Sequence, residues 1–456
     1  MACNANMMHM LGVCRTARLT SSIALPLGAD KIGRGFYTSL SSRVKFTRKI
    51  CASLAQAKPS ASGMASTQKK VLVPIGFGTE EMEAVILIDV LRRAGSDVTV
   101  ASVETDLQIE ASRRVKLVAD RPISACTEEM FDLIVLPGGM PGSSRLRDSE
   151  ILENITKRQA ADGRLYGAIC AAPAVALETW GLLKGLRATC HPSFIDKLSS
   201  SLTVGSRVQK DGIVTTSRGP GTAIEFALSF IEQLYGKEKA EEVAKPMVMC
   251  TRDGSEVVKH EYNPVEWSFA KTPVVLVPIA NGSEEMEAVI IIDVLRRANI
   301  HVVVASVEET LEIVASRKVK IVADKLIEEA ATSAYDLIVL PGGMPGAERL
   351  SNTQSLTKLL REQAESKKAY GAICASPAVV LEAHGLLKEK KATAHPAFSQ
   401  KLADQSAADT RVVIDGNLIT SRGPGTAMEF ALAIVEKIFG QEKAISIAEA
   451  MVFPYP

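Results

Sequence analysis

Tyr166-Gly167-Ala168-Ile169-Cys170-Ala171-Ala172-Pro173 is written a second time, 204 residues on, as Tyr370-Gly371-Ala372-Ile373-Cys374-Ala375-Ser376-Pro377. An apolar run that stops at a cysteine, then small residues and a proline, predicts a strand turning sharply into a helix, with the thiol at an exposed elbow. The N–H groups of such a helix start favour the thiolate and lower the thiol pKa. At the same offset Glu83 matches Glu287, His191 matches His395, Gly138-Gly139 match Gly342-Gly343, and Ser217 to Thr222 match Ser421 to Thr426. Each copy therefore carries one Cys, one Glu and one His, the inventory of a thiol-based catalytic site.

The surrounding pattern is α/β. Lys70 to Ile75 and Val274 to Ile279 read as strands. Thr79 and Ser283 stand where helix N-caps belong, and the Met82, Val85, Ile86, Val90, Leu91 spacing is helical up to Gly95, or to Asn299 in the second copy. Strands follow at 97–103, 115–119 and 132–136, a helix at 151–161, and a hairpin at 207–216 turning at Asp211-Gly212. Strands alternating with helices predict a three-layer α/β/α sandwich with a mostly parallel sheet, present twice. The implied division is 1–68 leader, 69–245 first domain, 246–272 linker, pinned by Trp267 and Phe269, and 273–456 second domain.

A hydrophobic content of 46% with 23% charged residues is that of a globular chain, and a net charge of +1 gives no pull toward nucleic acid or membrane. No apolar run approaches the ~20 residues that span a bilayer. Of 8 cysteines only Cys170 and Cys374 match between the copies. A disulfide framework would repeat with the fold, so free thiols in a reducing compartment are expected. No His/Cys/carboxylate spacing matches a metal site, and no cofactor is expected. The stretch before Lys69 holds nine Lys or Arg but only Asp30 as an acid, with many Ser and Thr. That composition predicts an organelle transit peptide, with a chloroplast bias from its serines; Met64 offers a second start that would give a cytosolic form.

Glycines after a central strand let backbone N–H groups face the pocket at the strand ends. Those of Gly138, Gly139 and Ala171, and of Gly342, Gly343 and Ala375, are the candidate oxyanion donors. A carboxyl beside the thiol would have a raised pKa, which suits Glu83 and Glu287, whereas Glu80 and Glu81 read as solvated first-turn glutamates. His191 and His395 are helper bases or structural histidines.

Taken together, Gly-x-Glu-Glu-Met-Glu, Val-Leu-Pro-Gly-Gly, Ala-Ile-Cys-Ala-x-Pro, His-Pro and Ser-Arg-Gly-Pro-Gly-Thr resemble the DJ-1/PfpI superfamily, in its tandem, chloroplast-targeted plant form. The resemblance implies flavodoxin-like domains. It implies Cys170 and Cys374 as nucleophiles, Glu83 and Glu287 as their acid partners, and His191 and His395 nearby. Arg113, Arg317, Arg93 and Arg297 would border the pockets near the surface where the two domains pair, with further oligomerisation open. Ala171 and Ala375 stand where the family's proteases carry His, which argues against peptidase or amidotransferase chemistry. The implied activity is a cofactor-independent glyoxalase acting on small 2-oxoaldehydes. A cysteine-oxidation sensor or chaperone, or a deglycase, is the alternative.

Overall fold

The computed structural model describes residues 68–199, 201–249, 258–269 and 271–455. Apart from Gln68 the leader expected over 1–68 lies outside the described residues, as do Met64 and Cys250. In the first copy the strands run Val208–Asp211, Val214–Ser217, Leu165–Ile169, Leu133–Leu136, Lys70–Ile75, Asp97–Ser102 and Arg121–Pro122 across one sheet. All neighbours are parallel except the first pair, the predicted hairpin, in which Asp211 faces Val214. Leu133–Leu136 is wholly buried, as a strand covered on both faces must be.

Helices Glu81–Arg93 and Ala223–Tyr235 pack together on one face of this sheet. Glu150–Ala161 covers the other, its Leu152 and Ile155 in a separate buried cluster. The second copy repeats this arrangement and gains an eighth strand, Lys259–Tyr262, parallel to Val412–Asp415. That strand belongs to the expected linker, which therefore completes the second sheet. Trp267 fastens the same segment by donating from Nε1 to the Gly416 carbonyl at 3.0 Å.

Helices and strands both join the copies. Helix Glu81–Arg93 packs on helix Glu285–Arg297, and their apolar residues share one buried cluster. Such a helix, apolar on nearly every side, has no face to give to water. In addition, strand Lys116–Val118 pairs antiparallel with Lys320–Val322, with Leu117 opposite Ile321. The two short hairpins thus form one four-stranded sheet, and the described residues of both copies fall in one compact unit.

Candidate active site

Strand Leu165–Ile169 ends at Cys170, whose φ is 64°. A left-handed conformation costs a residue with a Cβ roughly 1–2 kcal/mol. The surroundings hold it there: Cys170 N–H donates to the Ser217 carbonyl at 3.0 Å, and the Cys170 carbonyl accepts from His191 N–H at 2.8 Å. Cys374, at φ 66°, is held identically by Ser421 and His395. The strand-to-helix turn is as predicted, but the thiol is not exposed, Cys170 being half-buried and Cys374 buried, and the helix after it is a single π turn, Pro173–Leu177 or Pro377–Glu382.

The acid partner comes from the first turn of helix Glu81–Arg93. Its N-cap is Glu80, not Thr79: Glu80 Oε2 accepts from Glu83 N–H at 2.7 Å, and Glu284 does the same for Glu287 at 2.6 Å. Thr79 and Ser283 lie one residue too early and close the preceding turn, accepting from Gly76 and Ala280 N–H. Glu83 is fully buried, and its Oε2 accepts from Gly138 N–H at 2.7 Å. Burial pushes its pKa up to about 7, against the pull of Gly138 and of the Cys170 thiol; Glu287 is pushed to about 7 in the same way. Oε1 has no other hydrogen-bond partner among the described residues, so a protonated carboxyl keeps its donor for the sulfur.

Gly138 explains how thiol and carboxyl meet. A Cβ there would lie 2.6 Å from Cys170 Cβ and 2.8 Å from Glu83 Oε2. Its N–H is committed to Glu83, as that of Gly342 is to Glu287 at 2.7 Å, so neither is an oxyanion donor as expected. Gly139 and Ala171, with Gly343 and Ala375, do line the pockets.

The thiol differs from expectation. Burial pushes Cys170 up, the charges of Glu83 and Glu80 add to this, and the Gly139 N–H pulls it down. Desolvation outweighs the Gly139 N–H. When Glu83 holds its proton its charge no longer opposes the thiolate.

His191 is held at both nitrogens. Nδ1 accepts from Ser193 N–H at 3.2 Å, which leaves Nε2–H to donate to the Ala450 carbonyl at 3.1 Å. His395 does the same with Ala397 N–H and the Pro246 carbonyl. Burial lowers the pKa of both rings. With both nitrogens engaged and the neutral ring favoured, the geometry fits a structural histidine better than a helper base. Ala450 belongs to the second copy and Pro246 follows the first, so each site is walled by a segment of the other. Sequence gives no sign of this, since a backbone carbonyl leaves no mark there.

The arginines cross over as well. Arg113 and Arg297 line the cavity of Cys170, about 310 Å³, and Arg317 and Arg93 that of Cys374, about 260 Å³. Arg297 pairs with Glu80 and Arg93 with Glu284, both at 2.7 Å. Glu80 and Glu81 are buried rather than solvated; Glu81 accepts from Ser112 Oγ at 2.8 Å and Arg113 N–H at 2.9 Å. A glutamate run opening a largely apolar helix was the available signal. Carboxylates of Glu80, Glu81 and Asp293, and of Asp89, Glu284 and Glu285, lie within 4.8 Å of one another, which no sequence spacing revealed. Arg297 already bridges Glu80 and Asp293, and Arg93 bridges Glu284 and Asp89. Cys190 packs in the cluster on the opposite face of the sheet from the one Cys170 packs against.

Comparison with known proteins agrees with this architecture. The DJ-1/PfpI family model matches residues 69–233 and 273–437. Protein DJ-1 homolog B of Arabidopsis thaliana is 58% identical over 388 residues, covering 85% of this chain and 89% of that protein. Homolog A of the same plant is 55% identical over 389 residues, covering 85% and 99%. Glutathione-independent glyoxalase DJR-1.2 of Caenorhabditis elegans is 36% identical over 192 residues, 41% of this chain and the whole of that protein. With an elbow cysteine, a buried glutamate and a family match in each half, the chain belongs to the DJ-1/PfpI family as two domains in tandem.

Proposed function

We propose that the chain is a glutathione-independent glyoxalase acting on methylglyoxal and glyoxal. The observation that carries this reading is the duplicated pair of an elbow thiol and a buried glutamate with a pKa near 7. A group titrating near the working pH can both take and return a proton. The Cys170 or Cys374 sulfur adds to the aldehyde carbon, and the alkoxide takes a proton to give the hemithioacetal. Glu83 or Glu287, as carboxylate, removes the proton on C1, giving an enediol, and returns it to C2. The resulting thioester is hydrolysed by water to lactate or glycolate and free thiol. Gly139 and Ala171 line the cavity, and their N–H groups are the proposed donors to the oxygen that gains charge. The similarity to a named glyoxalase over one domain supports the same class.

The test is conversion of methylglyoxal to lactate without glutathione. Glu83→Gln with Glu287→Gln is expected to lower turnover by about 10²–10⁴-fold while both thiols still alkylate. Undiminished turnover sinks the proton-transfer role. We also propose, from the basic, Ser-rich leader, delivery to the chloroplast. A fluorescent protein fused behind residues 1–68 should enter plastids; retention in the cytosol contradicts it.

A further inference from the structure

A cleft of about 710 Å³ opens between the copies beside the second site. Arg93, Pro246, Ser316 and Arg317 belong both to its wall and to the wall of the Cys374 cavity. The cleft is larger than either thiol cavity, and the thiol chemistry does not use it. Beside Arg92, Arg93 and Asp120, all of the first copy, four further charges line it. The first copy contributes Asp97 and Glu242, and the second contributes Arg317 and Lys318.

The remaining ionic groups are already offset. Arg92 is paired with Asp120 at 3.2 Å and donates to the Arg317 carbonyl at 2.9 Å; Arg93 is paired with Glu284 and Asp89. The Arg317 guanidinium donates to the carbonyl of its neighbour Ser316 at 3.3 Å and has no carboxylate partner among the described residues. Lys318 and Asp97 form no ion pair within 4.0 Å among the described residues, although Asp97 lies in the field of Arg92. Glu242 has one, with Lys239 at 2.8 Å, between partly solvated side chains that hold little energy.

We propose that this cleft binds a zwitterionic amino compound, an amino acid or short peptide. Its ammonium group faces Asp97 and Glu242 and its carboxylate faces Arg317 and Lys318. The acidic wall is particular to this side of the molecule. The positions matching Ser96, Asp97 and Glu242 in the other copy carry Ile300, His301 and Ser446. Because Arg317 and Arg93 serve both walls, an occupant that draws Arg317 toward the cleft removes positive charge from beside Cys374. Cys170, with its own Arg113, is not affected.

The experiment is titration of the full chain with alanylglycine, read by calorimetry and by the rate at which iodoacetamide labels each cysteine. Saturable binding is expected, with slower labelling of Cys374 and unchanged labelling of Cys170. N-acetyl-alanylglycine and alanylglycinamide, each lacking one charge, should bind about fivefold more weakly. Asp97→Asn and Lys318→Asn should weaken binding by a similar factor and leave glutathione-free methylglyoxal turnover unchanged. Asn suits position 318, where φ is 65°. No saturable binding, equal binding of the blocked dipeptides, or equal slowing at both cysteines overturns the proposal. All these readouts except turnover are independent of the glyoxalase reading.

Discussion

A carboxyl that is fully buried and pushed to about 7 makes the folded protein hold protons that the unfolded chain, near 4.5, releases. The native pKa is raised, so the stabilisation is complete below about 4.5 and is lost as pH rises through about 7. Glu81 and Glu285 add to this in the same sense. Burial raises Glu80 and Glu284 as well, so Glu83→Gln with Glu287→Gln removes two of the six groups. The fall in thermal midpoint between pH 4.5 and 7.5 should then be shallower than in wild type; an unchanged profile contradicts the burial argument. Gly138→Ala tests the contact itself. The new methyl group collides with Cys170 and Glu83, an overpacking cost of about 1–3 kcal/mol. In a Cys374→Ser background, which isolates the first site, lactate formation should fall by about tenfold or more.

Among the secondary-structure elements, the two sites differ in what closes them. The Cys170 site is walled by the chain's C-terminal segment: Gly221 N–H donates to the Met451 carbonyl at 2.8 Å and Arg207 to the Val452 carbonyl at 3.1 Å. The Cys374 site is walled by residues 246–248, where Arg411 donates to the Val248 carbonyl at 3.1 Å. Ending the chain at Ala450 should lower turnover about tenfold in Cys374→Ser, and leave Cys170→Ser within about twofold of its parent. Equal losses would mean that the segment supports the fold rather than one site. The elbow, the glycine turn, the hairpin and the long helices were legible because each is written in a few adjacent residues. The cap falls at Glu80, one residue past its expected place, because Thr79 is the better capping residue in isolation. The π turn, the strand Lys259–Tyr262 and the carbonyls on His191 and His395 depend on contacts distant in sequence.

Across the two copies, one buried cluster runs through both, while two smaller clusters stay within one copy each. The shared cluster includes the Glu81–Arg93 and Glu285–Arg297 helices, and the ion pairs of Arg93 and Arg297 cross the same boundary. Separating the copies would expose apolar helix and leave buried charges unpaired. Heating the full chain should therefore give one calorimetric transition whose van't Hoff and calorimetric enthalpies agree. Two resolved transitions would show that the copies fold independently.

If two thiols in one chain each perform the same proton-transfer chemistry, the decisive experiment is a comparison of single and double cysteine variants. Lactate formation from methylglyoxal, without glutathione, is measured for wild type, Cys170→Ser, Cys374→Ser and the double variant. Activity in both single variants and none in the double variant is the predicted result. No lactate from folded, reduced wild type, or full activity in the double variant, contradicts it.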